Sequence, residues 1–131
     1  MATQIKHLEG TEQHVIRGYS PAVVTEGGRT VWLAGQTALI DEDGAGIAGD
    51  CAAQARTIFA NIDKMLRGCG GTVENLVTMT VFINDPRYGD EFVQVRRQIF
   101  KDGRYPASAL FTVAGFRRPG IVIEIQGVAV I

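Results

Sequence analysis

Residues 104–131 read RYPASALFTVAGFRRPGIVIEIQGVAVI and contain two candidate strands on either side of a turn. Pro106 has no amide hydrogen and a fixed φ, so a strand can begin directly after it. Residues 107–113 alternate small or polar with apolar side chains, as a half-buried strand does. Residues 116–120 combine Arg, Pro and Gly in a turn pattern, and residues 121–131 are β-branched and almost wholly apolar. The second segment is therefore predicted to be a central strand with both faces covered.

Two polar side chains, Glu124 and Gln126, interrupt this apolar strand, and their spacing places them on one face of the sheet. A carboxylate in such surroundings is costly unless it is ion-paired, solvated or at an interface. Two interpretations are open. Glu124 either has a structural role, at an edge or paired with Arg117 or Arg118, or it is a site residue.

The rest of the chain predicts one domain, because 131 residues are enough for an independent core. The predicted elements are a strand at 22–26, a strand at 29–34, a helix from the Asp50 cap to 67–69, a strand at 76–83 and a helix at 89–100. Gly27-Gly28 predicts a hairpin turn between the first two strands. Residues 1–18 form a weakly patterned N-terminal lead.

Each predicted helix has a polar surface as well as an apolar stripe. Gln54 is assigned to the polar surface of the first helix, and Arg96 and Arg97 to the solvated surface of the second. Strand–helix–strand connections favour both helices on one side of a mixed sheet, which is an α+β arrangement. The other sheet face would be bare in a monomer, and its apolar side chains favour an oligomer.

Composition narrows the functional classes. A net charge of −1 gives no broad electrostatic footprint for nucleic acid or for an anionic membrane. The N-terminal residues lack the apolar core of a signal peptide, and no apolar run is long enough to span a bilayer, so a cytoplasmic protein is expected. Cys51 and Cys69 do not have zinc-site spacing, and His7 and His14 lack a nearby third ligand. No metal is therefore expected.

Several segments together resemble the YjgF/Rid family. Pro106-Ala107, followed by the strand with Ile123-Glu124-Ile125, is similar to the family's Pro-Ala-Arg motif and Val-Glu-Ile-type strand. Further similar segments, in chain order, are Ala34-Gly35-Gln36, Ala53-Gln54, Asn61 and 77–85. The resemblance covers roughly residues 20–131, and one departure is Ser108, which stands where the family has Arg.

The resemblance implies a chorismate-mutase-like fold assembled as a homotrimer, with small-molecule clefts between subunits. Family members hydrolyse reactive imines and enamines, such as 2-aminoacrylate, without a cofactor. By this resemblance Glu124 is the catalytic candidate, which positions or activates the attacking water. Gly35, Tyr105 and Ser108 are the substrate-binding candidates.

The serine at position 108 cannot make the paired, charge-assisted contact of an arginine with a carboxylate. Arg117, Arg118 and Arg104 are candidates for the missing contact. Three functions follow: a deaminase of imines or enamines with an altered substrate range, a small-molecule-binding trimer without catalysis, and a ribonuclease or translation inhibitor. The third is disfavoured because the chain lacks a basic patch interleaved with aromatic residues.

Overall fold

The computed structural model describes residues 2–131 and confirms the α+β fold. Its elements are β1 (Gln4–His7), α1 (Glu12–Arg17), β2 (Val23–Glu26), β3 (Thr30–Trp32), α2 (Cys51–Gly68), β4 (Leu76–Ile83), α3 (Tyr88–Ile99), β5 (Ala107–Thr112) and β6 (Ile123–Val130). A short 3₁₀ turn, Val73–Asn75, leads into β4. Within residues 2–131, no helix combines the length and the apolar character that crossing a membrane requires.

The main sheet is mixed, as predicted, with the strand order β3-β6-β4-β5. β4 and β5 are parallel and are connected through α3, while β6 runs antiparallel to both β3 and β4. The apolar segment at the C-terminus therefore occupies an interior position between two strands. The prediction that both faces of this strand are covered is wrong for the single chain, because α2 and α3 cover one face, whereas the half-buried Glu124 and the exposed Gln126 lie on the other.

The core lies between this sheet and the two long helices. Val81 and Ile125, which are register partners on neighbouring strands, are fully buried beneath them. Phe59 of α2 meets Phe100 edge to face, with ring centroids 5.6 Å apart. Asp50 caps α2 as predicted, because its carboxylate accepts a hydrogen bond from the Ala53 amide at 3.0 Å.

The start of β4 departs from simple alternation. A register shift between Leu76 and Thr78 places Leu76 in the core, where it is fully buried. Simple alternation would place Val77 on the core face with Met79, but Leu76 takes that place, because an irregularity of this kind inserts one extra residue into the strand.

The face of the sheet turned away from α2 and α3, called the bare face below, carries exposed apolar side chains. Trp32 is 78% exposed and Phe111 is 53% exposed. Phe111 and Phe82 stack on this face with centroids 6.2 Å apart. The predicted uncovered face is therefore present in the single chain.

The weakly patterned N-terminal lead contains two short elements, β1 and α1. β1 pairs antiparallel with β2, whereas β3 pairs with β6. The predicted β2–β3 hairpin is therefore wrong, although Gly27 and Gly28 do adopt positive φ values of 68° and 76°. After α1 the chain follows β5, where the Ser20 amide donates to the Pro106 carbonyl at 3.0 Å.

Candidate functional site

Glu124 lies on the bare face of the sheet. The strand register pairs Glu124 with Phe82, and Phe82 with Phe111. Side chains of directly paired residues project to the same face, so the carboxylate lies beside the two stacked rings. Glu124 is half-buried, which leaves part of its side chain accessible.

A cavity of about 300 Å³ opens next to this carboxylate. It is lined by Phe82, Val113, Gly115, Phe116, Arg117 and Glu124. We call it the Glu124 pocket. Within residues 2–131 no ion pair joins Glu124 to Arg117 or Arg118. The carboxylate is therefore available for contact with a small molecule in the pocket.

Gly35 is brought directly against this carboxylate. The neighbouring Gln36 forms an isolated bridge with Ile125, in which the Gln36 amide donates to the Ile125 carbonyl at 2.8 Å and the Ile125 amide donates to the Gln36 carbonyl at 3.1 Å. A Cβ atom added at Gly35 would lie 2.5 Å from Glu124 Oε2. A residue with a side chain would displace the carboxylate, so the glycine gives Glu124 its space.

Gln54 of α2 is buried, so its assignment to the polar surface of the helix is wrong. Its Nε2 donates to the carbonyls of Ile47 at 2.9 Å and of Gly120 at 2.7 Å, and its Oε1 accepts from the Val122 amide at 3.0 Å. These bonds anchor the residues that precede β6, and so they orient the turn that carries Arg117. Sequence reasoning placed Gln54 within the family resemblance without giving it this role.

Ser108 lies on the other face of β5. Its register partner is Met79, which is buried beneath the helices. The Ser108 Oγ accepts a hydrogen bond of 2.8 Å from Nη1 of Arg96. In a single chain Ser108 and Glu124 therefore do not share one pocket, because they project from opposite faces of the sheet.

Arg96 is the second functional candidate that sequence reasoning missed. It was assigned to a solvated helix surface, yet it is only 3% exposed. Its Nη2 donates to the Arg17 carbonyl at 2.9 Å, and its guanidinium carbon lies 4.9 Å from the Phe92 ring and 5.7 Å from the Tyr19 ring. Burial lowers the pKa of Arg96 to about 10, so the guanidinium remains charged at neutral pH.

The other predicted substrate contacts are dispersed. The Tyr105 side chain lines a separate cavity of about 230 Å³ together with His7, His14 and Tyr19. Among residues 2–131, no three His, Cys, Asp or Glu side chains cluster as a metal ion would require. Arg104 forms an ion pair with Glu74 at 3.6 Å.

Arg117 and Arg118 both lie on the exposed turn before β6. Of these two residues, Arg117 lines the Glu124 pocket. The structure therefore brings together Glu124, Gly35 and Arg117, and it places Ser108, Tyr105 and Arg104 elsewhere.

Comparison with known proteins agrees with this architecture. A sequence profile of the family described as endoribonuclease L-PSP matches residues 10–131. The 2-iminobutanoate/2-iminopropanoate deaminase of Homo sapiens is 30% identical over 112 residues, which are 86% of this chain and 79% of that protein.

Solved structures show the same fold. RidA from an Antarctic Psychrobacter is 31% identical with a TM-score of 0.68, over 86% of this chain and 88% of that one. YyfB from Yersinia pestis, a Rid family protein of unknown function, superposes with a TM-score of 0.82 over 100% of both chains, at 24% identity. Since the family profile spans nearly the whole chain, this protein belongs to the endoribonuclease L-PSP family, the family of the YjgF and Rid proteins.

Proposed function

We propose that this protein is a cofactor-independent deaminase that hydrolyses an imine or enamine in a cleft containing Glu124. The observation that carries the proposal is the Glu124 carboxylate, which lines an open cavity and is not neutralised by an ion pair within residues 2–131. The relatives named as 2-iminobutanoate/2-iminopropanoate deaminases support the reaction class.

Hydrolysis of an imine requires that the protein position the substrate and supply one acid–base group. An imine carbon is electrophilic, so water can attack it when a carboxylate accepts the water proton. A C–O bond forms, and the electron pair of the C=N bond moves to nitrogen, which takes up a proton. The resulting carbinolamine then collapses: Glu124 gives the proton taken from water to the nitrogen, and the C–N bond breaks as the C=O bond forms. The hydroxyl proton passes to the Glu124 carboxylate and on to solvent, which replaces the solvent proton that the nitrogen took up, and ammonia and a ketone are released. An enamine enters the same sequence once it is protonated at carbon.

The assembly that we propose is a homotrimer. Trp32 and Phe111 expose large apolar surfaces on the bare face, and a second copy of the chain would cover them. Ser108 and Glu124 project from opposite sheet faces, so a site containing both residues requires two subunits. The cleft would then lie between neighbouring chains.

Ser108 is proposed to shift the substrate range. A hydroxyl group offers one donor hydrogen, whereas a guanidinium offers two parallel donors to a carboxylate. We therefore expect weaker hydrolysis of small 2-imino acids than in a relative with arginine at this position. The shorter side chain also leaves room for a larger or less anionic substrate.

The direct test replaces Glu124 by Gln and measures ammonia release from 2-iminobutanoate generated in situ. We expect turnover to fall by roughly a hundredfold or more, because the acid–base group is lost, with little change in the unfolding midpoint. Glu26→Gln is the matched control, since Glu26 is exposed at the end of β2. Full turnover in Glu124→Gln would refute the proposal. A wild-type protein that binds the keto acid product but releases no ammonia would instead favour the non-catalytic binding protein.

A further inference from the structure

Arg96 is a buried cation that is not neutralised within the chain. Within residues 2–131 it forms no ion pair, and its Nε hydrogen is buried without an acceptor. Arg17, whose carbonyl accepts a hydrogen bond from Arg96, pairs its own side chain with Asp90 at 2.7 Å. A buried charge without a counterion is costly, and the hydrogen bonds and ring contacts of Arg96 within the fold leave this charge unbalanced.

We propose that Arg96 and Ser108 form an anion subsite, in which Arg96 orients the Ser108 hydroxyl so that it binds a carboxylate of the ligand. The class of ligand rests on the proposed deaminase function. The carboxylate contacts Ser108 directly, and Arg96 acts through Ser108 as a positioning residue.

The hydrogen-bond arrangement fixes the direction of the hydroxyl proton. Ser108 Oγ accepts from Arg96 Nη1 at 2.8 Å, and a guanidinium can only donate. The single hydroxyl hydrogen of Ser108 must therefore point to another acceptor. Ser108 is half-buried, which leaves part of the residue accessible, and in the proposed subsite the ligand carboxylate accepts that hydrogen.

The guanidinium is held rigidly in this arrangement. Its second amino group is engaged by the Arg17 carbonyl at 2.9 Å, and the aromatic rings of Phe92 and Tyr19 lie within 6 Å of its carbon. Because Arg96 is 3% exposed, its charge acts through a medium of lower polarity than water and is weakly screened by salt. An anion bound at Ser108 would be attracted by this charge.

The geometry favours a singly charged carboxylate over a phosphate group. One outward hydroxyl hydrogen and one cation behind it match the charge and size of a carboxylate. A phosphate would require several donors, such as a helix N-terminus or a bidentate arginine. Arg117 is the competing anion contact, but it is exposed and lines the Glu124 pocket on the other face.

The test is an NMR titration of the native protein with 2-oxobutanoate and, separately, with its neutral methyl ester. We expect Ser108→Ala to weaken 2-oxobutanoate binding by roughly tenfold or more, and to leave the ester unaffected. Arg96→Lys, which keeps the charge, should retain more of the preference for the anion than Arg96→Met does. Arg56→Met, which removes an exposed arginine of α2, is the control and should bind like the wild type.

The selectivity for the anion over the ester separates this role from a structural one. A variant that is merely misfolded would lose both ligands, and Ser108→Ala removes a single oxygen from a half-buried position. In turnover, the same variant should raise KM for 2-iminobutanoate and leave kcat nearly unchanged.

The inference would be overturned by equal binding of 2-oxobutanoate to the wild type and to Ser108→Ala. It would also be overturned if Arg117→Met alone abolished binding, or if the wild type bound no 2-oxobutanoate. The proposed reaction is tested separately, because binding requires no turnover. If binding of 2-oxobutanoate depends on Ser108 but the protein releases no ammonia, only the proposed deaminase function is refuted. If the protein releases ammonia but binding does not depend on Ser108, only the anion subsite is refuted.

Discussion

Replacing Gly35 by alanine is a perturbation that acts almost entirely on the position of the Glu124 carboxylate. The φ of Gly35 lies outside the left-handed region, so alanine is compatible with the backbone. The added Cβ would lie 2.5 Å from Glu124 Oε2, whereas ordinary van der Waals contact begins near 3.4 Å. The carboxylate must therefore move by about 0.9 Å.

This movement should affect stability and activity very differently. The carboxylate is the end of a flexible side chain, so a change in its torsion angles relieves the clash at a cost of about 1 kcal/mol or less. A displacement of about 1 Å at a catalytic group lowers a rate by roughly a hundredfold, which corresponds to about 2.7 kcal/mol of activation free energy. We therefore expect a large loss of kcat/KM in a protein that unfolds almost normally.

The assay compares kcat/KM for ammonia release with the free energy of unfolding in urea. Gly46→Ala is the matched control, because a Cβ atom there meets nothing within 4 Å and the backbone again avoids the left-handed region. Unchanged kcat/KM in Gly35→Ala would refute the assignment of Glu124 as the acid–base group. Equal losses of activity and stability would show instead that Gly35 is needed for folding.

Two further predictions concern the core and the assembly. Gln54→Leu should lower the free energy of unfolding by about 3 kcal/mol, because it leaves buried backbone groups without hydrogen-bond partners. Gln94→Leu, on the exposed surface of α3, should change it by less than about 0.5 kcal/mol. Urea unfolding measures both values, and equal effects would contradict the anchoring role of Gln54. Mass photometry at micromolar concentration should show a particle with the mass of three chains. Phe111→Lys should dissociate this particle, because it places a charge on the bare face. A stable wild-type monomer would contradict the proposed cleft between subunits.

The long elements were predictable because their signals are strong and independent of one another. The helix beginning after Asp50 has an apolar stripe and a cap, and the strand at 121–131 is rich in β-branched residues. The short elements at the N-terminus carry no such signal. β1 has four residues and α1 has six, so neither has enough turns or alternations to show a period.

The predicted hairpin was wrong for a different reason. Gly27 and Gly28 do form a turn, but turn residues determine only the local direction of the chain. The pairing of a strand also depends on which other strands lie beside it, and β2 pairs with the N-terminal strand β1 and not with β3. The sequence pattern does not reveal that strand, so it predicts the pairing of β2 with β3 instead.

The candidate site was partly predictable, and the two missed residues share one cause. Arg96 lies four residues after Phe92 and four before Phe100, and both phenylalanines are buried. Gln54 likewise lies four residues before Ile58 on the apolar side of α2. Helical spacing therefore placed both polar side chains on the buried surfaces. Their residue types predict exposure instead, but the helical spacing is the stronger of the two signals.

These two buried polar residues nevertheless require different explanations. Gln54 uses its amide in three hydrogen bonds, so the folded chain fully accounts for its presence. Arg96 donates to Ser108 and to the Arg17 carbonyl, but its charge is not balanced and its Nε hydrogen has no acceptor within residues 2–131. A methionine would fill similar space without the cost of burying a charge. The retained charge therefore points to an anion that binds from outside the chain, and Ser108 is the accessible group through which it can act.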